Sequence, residues 1–415
     1  MTQLSDPPHD ATAAPRRTMR GRSSSDTRSA VLDLIRASGE ISRVDLARRS
    51  ALTEATISKI VKELLATGLV VQAGYAQSTG GKRAELLRLN GGGIRAIGMT
   101  LDFNRSVVVL CGADGGELAR VEAPGTGFDD PAVALERLAA AVETLLEREG
   151  VDRESVVGAC VAVAGRRGSP MGGVVDTSFF DAWEPYPVAS ELQRMLGLPV
   201  LRENDANCAA LGEFWSSKEP ARDFVAVYMS SGIGAGIVID GAIYHGASGN
   251  AGEIGHVTVE PDGVDCWCGS RGCLETVASP RAIVRAVRAD EGLCERLDVD
   301  AATPNPEVYR RFTALAEEGE PRAAAILGRA TETFAAAVGA LVNTLDLDLV
   351  VLAGSGFAGT EEAFLGAVRR RVERTAFMRE LHPISVRLAS AGSGTAALGA
   401  ASVVLHRHLT PHRSA

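Results

Sequence analysis

Residues Gly252 to Ser279 read GEIGHVTVEPDGVDCWCGSRGCLETVAS. Within eighteen of them stand one imidazole, His256, and three thiols, Cys266, Cys268 and Cys273. That is the ligand number and softness of a tetrahedral zinc site, and four protein ligands leave no open position for water or substrate. The expected zinc is therefore structural. Taken singly, such cysteines are usually buried small hydrophobes and such a histidine a satisfied core residue. The Cys-x-Cys-x4-Cys spacing, threaded with Gly263, Gly269 and Gly272, favours a metal loop, because closely spaced thiols need tight backbone turns to converge. The loop would fix two polar side chains in space, Glu253 just before it and Glu275 just after it.

Outward from this stretch, 46% hydrophobic and 5% aromatic content over 415 residues is enough for two or three folded units with ample core. No uninterrupted apolar run reaches eighteen residues, so a membrane span is not expected. The other cysteines, Cys111, Cys160, Cys208 and Cys294, are scattered, and the N-terminus lacks the apolar run of a secretory signal. Reduced thiols and a cytoplasmic location are expected. The net charge of −9 is unevenly placed: residues 1–90 hold 14 Lys and Arg against 9 Asp and Glu, and residues 91–415 hold 29 against 43. A basic head on an acidic body suggests that the head meets a polyanion. A solvated basic tail would give the same sum, so a motif has to decide.

Residues 1–25, rich in Ser, Pro, Ala and Arg without apolar periodicity, read as a disordered tail. From Thr27 the pattern turns helical through Val31, Leu32, Leu34 and Ile35 and ends near Ser38-Gly39. Ser42, with Asp45 three residues on, resembles a capping box that opens a short helix. Thr53 caps the next, whose Ile57, Ile60, Val61, Leu64 and Leu65 share one face. LVVQAG and ELLRLN then read as two strands around the basic turn Ser78-Thr79-Gly80-Gly81-Lys82-Arg83. Residues 26–92 are thus predicted to form a winged helix-turn-helix. The expected contacts to double-stranded DNA are Arg43, Thr53, Glu54, Ser58, Lys59 and Lys62, with the helix from Thr53 in a major groove, and Lys82 and Arg83 on the wing. A small helical protein-interaction module is the alternative.

Residues 93–415 alternate strands and helices. RAIGMTLDFNRSVVVL reads as strand–turn–strand, Pro131 to Glu149 as a helix, Val156 to Val163 as a buried strand, and Ala189 to Leu196 as a helix. LRENDANCAALGEF places Asn204 and Asp205 where a strand gives way to a helix, a common position for binding groups in α/β proteins. FVAVYMSSGIGAGIVIDGAIYHG reads as a strand, a glycine turn with Gly232, Gly234 and Gly236, and a second strand. Alanine-rich helices fill 280–345, LDLVVLAGSG is another strand and turn, and Ser393 to His406 is a last helix. Two lobes of mixed sheet with a cleft between them would produce this order.

GEIGHVTVEPDG, CWCGSRGCLE, ENDANCAALGE and SSGIGAGI, with the helix-turn-helix head, resemble the ROK family (repressors, open reading frames, kinases) over roughly residues 27–405. The resemblance implies an α/β, actin-like and hexokinase-like two-lobed body. It implies a sugar in the cleft, held by residues matching Asn204, Asp205, Glu253, His256 and Glu275, and zinc on His256, Cys266, Cys268 and Cys273. It also implies a homodimer or homotetramer. Vicinal sugar hydroxyls suit such carboxylates and an amide, each able to make two hydrogen bonds. The plain alternative for Asn204-Asp205 is a helix cap.

Family kinases begin the lobe with Asp-x-Gly-Gly-Thr, whose glycine amides hold phosphate. Here Thr100, Leu101, Asp102, Phe103 and Asn104 stand instead, with a carboxylate where a glycine would let phosphate approach. Asp205 could still act as a base for phosphoryl transfer, but the missing phosphate turn argues against an enzyme, so no catalytic residue is assigned. The expectation is a DNA-binding regulator of carbohydrate metabolism, most simply a repressor, controlled by a sugar. A sugar kinase with a DNA-binding head and a partner-regulated scaffold are the alternatives. A further departure is Ser178-Phe179-Phe180 before Ala182-Trp183, where family kinases have an asparagine.

Overall fold

The head opens with α1 (Ser24–Ser38). It starts three residues before the expected Thr27, inside the expected tail, because its first turns are polar and the apolar period begins only at Val31. A two-residue strand, β1 (Ile41–Ser42), follows. Ser42 caps α2 (Arg43–Ser50): its hydroxyl accepts from the Asp45 amide at 3.1 Å and donates to the Asp45 carboxylate at 2.7 Å. Thr53 caps α3 (Glu54–Ala66), accepting from the Thr56 amide at 3.2 Å. Ile57, Ile60, Val61 and Leu64 pack with Val31, Ile35 and Leu46 into one core. Then come β2 (Val70–Tyr75) and β3 (Glu85–Leu89), which pair antiparallel in a sheet of order β1-β3-β2. The computed structural model describes residues 24–76, 83–90, 93–127, 129–165, 183, 186–217 and 221–409. The wing tip with Lys82, and Ser178 to Ala182, lie outside them.

A second compact unit begins after Asn90. Its first lobe contains β4 (Arg95–Leu101), β5 (Arg105–Gly112), β6 (Glu117–Pro124), α4 (Pro131–Arg148), β7 (Val156–Val163), α5 (Val188–Leu196) and β8 (Val200–Asn204). The sheet order is β6-β5-β4-β7-β8, antiparallel through the first three strands and parallel from β4 onward. α6 (Asp205–Ser216) leaves β8 directly. The second lobe repeats the plan with β9 (Phe224–Met229), β10 (Ile233–Ile239), β11 (Ala242–Ile243), α7 (Glu275–Ala278), α8 (Pro280–Arg288), α9 (Glu291–Leu297), α10 (Asn305–Glu317), α11 (Pro321–Leu345), β12 (Leu349–Ala353), α12 (Glu361–Thr375) and β13 (Ser385–Leu388). Its order, β11-β10-β9-β12-β13, has the same alternation of antiparallel and parallel pairs. α13 (Thr395–Leu409) ends the described chain.

The two connecting helices are exchanged between the lobes. α6 follows the first sheet yet packs on β9 and β10 of the second, while α13 follows the second sheet yet packs on β4 and β7 of the first. The two helices lie against each other at Gly399, where a Cβ would collide with the Cys208 carbonyl. Gly234 and Gly236 are in strand β10 rather than in the expected glycine turn. A side chain at Gly236 would strike the Ala206 carbonyl, so the bare strand is what lets α6 approach.

α11 departs from the expectation that no segment resembles a membrane span. By length and composition its 25 residues suffice, with mean hydropathy 1.3 over eighteen. In this fold Ala330, Phe334, Val338 and Val342 are buried in the second-lobe core. Its outer side is ion-paired, Arg322 to Asp290 at 2.9 Å and Arg329 to Glu260 at 2.6 Å.

Candidate functional site

The cysteine loop is a small hairpin laid over itself. The Val259 amide donates to the Gly272 carbonyl, the Gly272 amide to Val264 and the Leu274 amide to Val257, each at 2.8–2.9 Å. These bonds bring His256, Cys266, Cys268 and Cys273 together with every donor atom within 4.8 Å of the others. Cys266 Sγ lies 3.6 Å from His256 Nδ1, and Cys268 Sγ 3.7 Å from Cys273 Sγ. A tetrahedron with zinc–sulfur bonds near 2.3 Å and a zinc–nitrogen bond near 2.1 Å has edges of about 3.8 and 3.6 Å. The donor set fits zinc in chemistry, and these two pairs have the spacing of its edges. Burial pushes the Cys266 thiol up to about 12 without a cation.

The same loop reaches the cleft. His256 Nε2, the nitrogen turned away from the thiols, faces Glu253 Oε2 at 4.0 Å. The Trp267 ring stands edge-on to His256, with centroids 4.8 Å apart, and its Nε1 donates to Glu275 Oε1 at 2.7 Å. Glu275 Oε2 accepts from the Ile233 amide at 3.3 Å. Trp267 was not among the residues singled out from the sequence; its place between two clustered cysteines was the available signal.

β10 gathers the rest. The Ala235 amide donates to the Gly252 carbonyl at 2.8 Å, which lays Glu253 along one side of the strand, while Ala206 of α6 lies against Gly234 and Gly236. Asn204 Oδ1 caps α6, accepting from the Asn207 amide at 3.1 Å, so the helix-cap reading holds for that atom and the side-chain NH2 is left to donate. Glu203, buried behind it, accepts from the Asn204 amide at 2.9 Å and the Asn207 side chain at 3.3 Å. Burial drives the Asp205 carboxyl up to about 7; the Ala206 amide opposes that rise, and the charges of Asp102 and Glu253 add to it. Tyr228 of β9, raised by burial and by the Asp205 and Asp102 charges, belongs to the same cleft. The fold thus brings Asn204, Asp205, Glu253, His256 and Glu275 around one strand. It adds Trp267, Tyr228 and Asp102, which register and packing place there and local sequence does not.

On the head, Thr53, Glu54, Ser58, Lys59 and Lys62 are all exposed along α3, and Arg83 is exposed before β3. Arg43, half-exposed, also pairs with Glu85 at 3.1 Å, which fastens α2 to β3.

The ROK family pattern matches residues 105–407. A winged helix-turn-helix DNA-binding pattern matches residues 24–71. The chain is 28% identical over 373 residues to the xylose repressor of Caldicellulosiruptor bescii, across 88% of itself and 92% of that protein. It is 30% identical over 320 residues to the glucokinase of Thermotoga maritima, across 76% of itself and 98% of that protein. A solved ROK family transcriptional regulator, a homolog of the E. coli MLC protein, has a TM-score of 0.67 at 24% identity and covers 94% of this chain and 98% of its own; this likeness speaks for the fold. Together these define a hexokinase-like two-lobed body joined to a winged helix-turn-helix head. The chain belongs to the ROK family.

Proposed function

We propose that this protein is a DNA-binding transcriptional regulator, a repressor of carbohydrate-metabolism genes, whose hold on its operator is set by a sugar bound between the lobes. What supports the reading is the union, in one chain, of an exposed polar and basic α3 face with Asn204, Asp205, Glu253, His256 and Glu275, side chains of the kind that suit sugar hydroxyls, gathered around β10. Zinc on His256, Cys266, Cys268 and Cys273 would supply a fixed node. The chain's own bonds carry that order onward, through Trp267 to Glu275 and through the second nitrogen of His256 toward Glu253. Carboxylates and the Asn204 amide would read vicinal hydroxyls. The protein acts where its DNA is, in the cytoplasm, as a homodimer or homotetramer whose two heads meet a pseudo-palindromic site. Its DNA contacts are Thr53, Glu54, Ser58, Lys59 and Lys62 on α3, together with Arg43, Lys82 and Arg83. Sugar that binds one lobe arrangement better than the other shifts the spacing of the heads.

The kinase reading is supported by Asp205, whose affinity for protons suits a base, and by the similarity to a glucokinase. The turn at 100–104 opposes it, since Asp102 stands where phosphate would be received, and we place no enzyme activity in the protein. Fluorescence anisotropy of labelled DNA from the gene's own upstream region, titrated in the presence of sugars, tests the proposal. One sugar should change operator affinity by on the order of 10-fold. DNA binding indifferent to every sugar that the body binds overturns it, and sugar-dependent ATP consumption would favour the kinase.

A further inference from the structure

Asp102 follows Leu101, whose register partner in β7 is Val163. Val163 pairs in turn with Asn204 of β8. Asp102 and Asp205 are therefore the first residues beyond one row of the first sheet, two strand spacings or about 10 Å apart at the backbone. Asp102 Oδ1 accepts from the Asn104 amide at 3.0 Å, and the Ser230 hydroxyl approaches it from the second lobe. Turn amides and a hydroxyl are the donors that a phosphate oxygen takes. Here a carboxylate already holds them. The turn is also braced: the Asp102, Phe103 and Asn104 carbonyls accept from the Thr126, Gly127 and Gly125 amides at 2.9–3.1 Å. Its own cation, Arg105, is paired with Glu122 at 3.0 Å.

We infer that Asp102 makes the cleft selective for an uncharged sugar and against the phosphate ester of that sugar. The inference rests on the sugar reading of the cleft. A free hydroxyl directed at this end can donate to Asp205 or Asp102. A phosphoryl group on the same carbon brings up to two negative charges toward Glu253 and toward Asp102 and Asp205, two carboxyls that burial already pushes up and that a nearby anion would push further, and it finds the donors of this turn occupied. Asp102 is thus a specificity residue, acting by repulsion and by occupancy of the phosphate turn rather than by a contact unique to one sugar.

Calorimetric titration of the full-length, zinc-loaded protein with xylose, glucose, N-acetylglucosamine and the 6-phosphates of the last two tests this in wild type, Asp102→Asn and Asp102→Gly. Thermal unfolding and DNA binding check that both variants fold. Wild type should bind a neutral sugar more tightly than its ester by on the order of 10-fold or more. Both variants should narrow that ratio, chiefly by gaining affinity for the ester. An ester bound by wild type as tightly as its parent, or a ratio unchanged in both variants, overturns the inference alone. Absence of binding by any sugar overturns the sensor reading and this inference with it.

Discussion

The Trp267 indole donates to Glu275 across 2.7 Å, and this single bond ties the cysteine loop to a carboxylate of the cleft. Trp267 sits between two cysteines of the cluster and stacks edge-on against the histidine, so a metal held there would order the carboxylate. Replacing Trp267 with Phe removes the donor and keeps most of the packing. Sugar affinity should fall by roughly 10- to 100-fold, the worth of one hydrogen bond to a charged group. Zinc content by mass spectrometry should stay at one per chain; loss of metal instead would make Trp267 a mere support of the loop.

Metal removal should act on the sugar response and spare the head. The head has its own core and caps. Chelation, or Cys268→Ser, is expected to lower the melting temperature of the body and to abolish the effect of sugar on DNA binding, while affinity for DNA in the absence of sugar persists. Anisotropy with and without chelator reads both. A sugar response that survives complete zinc loss would separate the loop from the sensor.

Asp205 should make the body less stable as pH rises. An aspartate in the unfolded chain titrates near 3.9, whereas in the fold Asp205 keeps its proton up to about 7. Between those values the native state binds more protons, so stability falls from about pH 4 to about pH 7 and stays lower above that range. Asp205→Asn removes the buried charge. It should raise the melting temperature by roughly 2–6 °C at pH 8 and little at pH 4, and it should abolish sugar binding. Equal shifts at both pH values would contradict the assignment of a site that trades stability for function.

On the head, Lys59→Ala and Lys62→Ala should weaken DNA binding alike for specific and unrelated sequences, each lowering the salt dependence by about one unit of slope. Thr53→Ala should instead destabilise the head by about 1 kcal/mol through loss of the α3 cap. Salt titrations of binding, with denaturant unfolding of each variant, distinguish the two kinds of effect. A Lys59 variant with unchanged slope would remove that residue from the interface.

Much of this was legible locally. Ser42, Thr53 and the Cys-x-Cys-x4-Cys loop announce themselves because capping and metal binding are short-range chemistry. Asn204 and Asp205 were legible as a strand-to-helix junction, and the helix cap offered as their alternative is the bond that Asn204 Oδ1 makes. Long-range effects were hidden. Nothing near Asp102 says that sheet register aligns it with Asp205, and nothing in the α6 or α13 sequence says that each helix packs on the other lobe's sheet. Gly236 looked like part of a turn because a glycine needed for the approach of another element is indistinguishable, in one sequence, from one needed for backbone bending. α12 and β13 were missed because their polar faces dilute a short apolar pattern.

The most direct measurement is a calorimetric titration of the zinc-loaded protein with hexoses, xylose and N-acetylhexosamines, each hit repeated with Glu253→Ala. A sensing cleft predicts one preferred sugar bound at one site per chain, with binding lost in the variant. No binding across the panel, or binding that Glu253→Ala leaves intact, would contradict a sugar sensor built around β10.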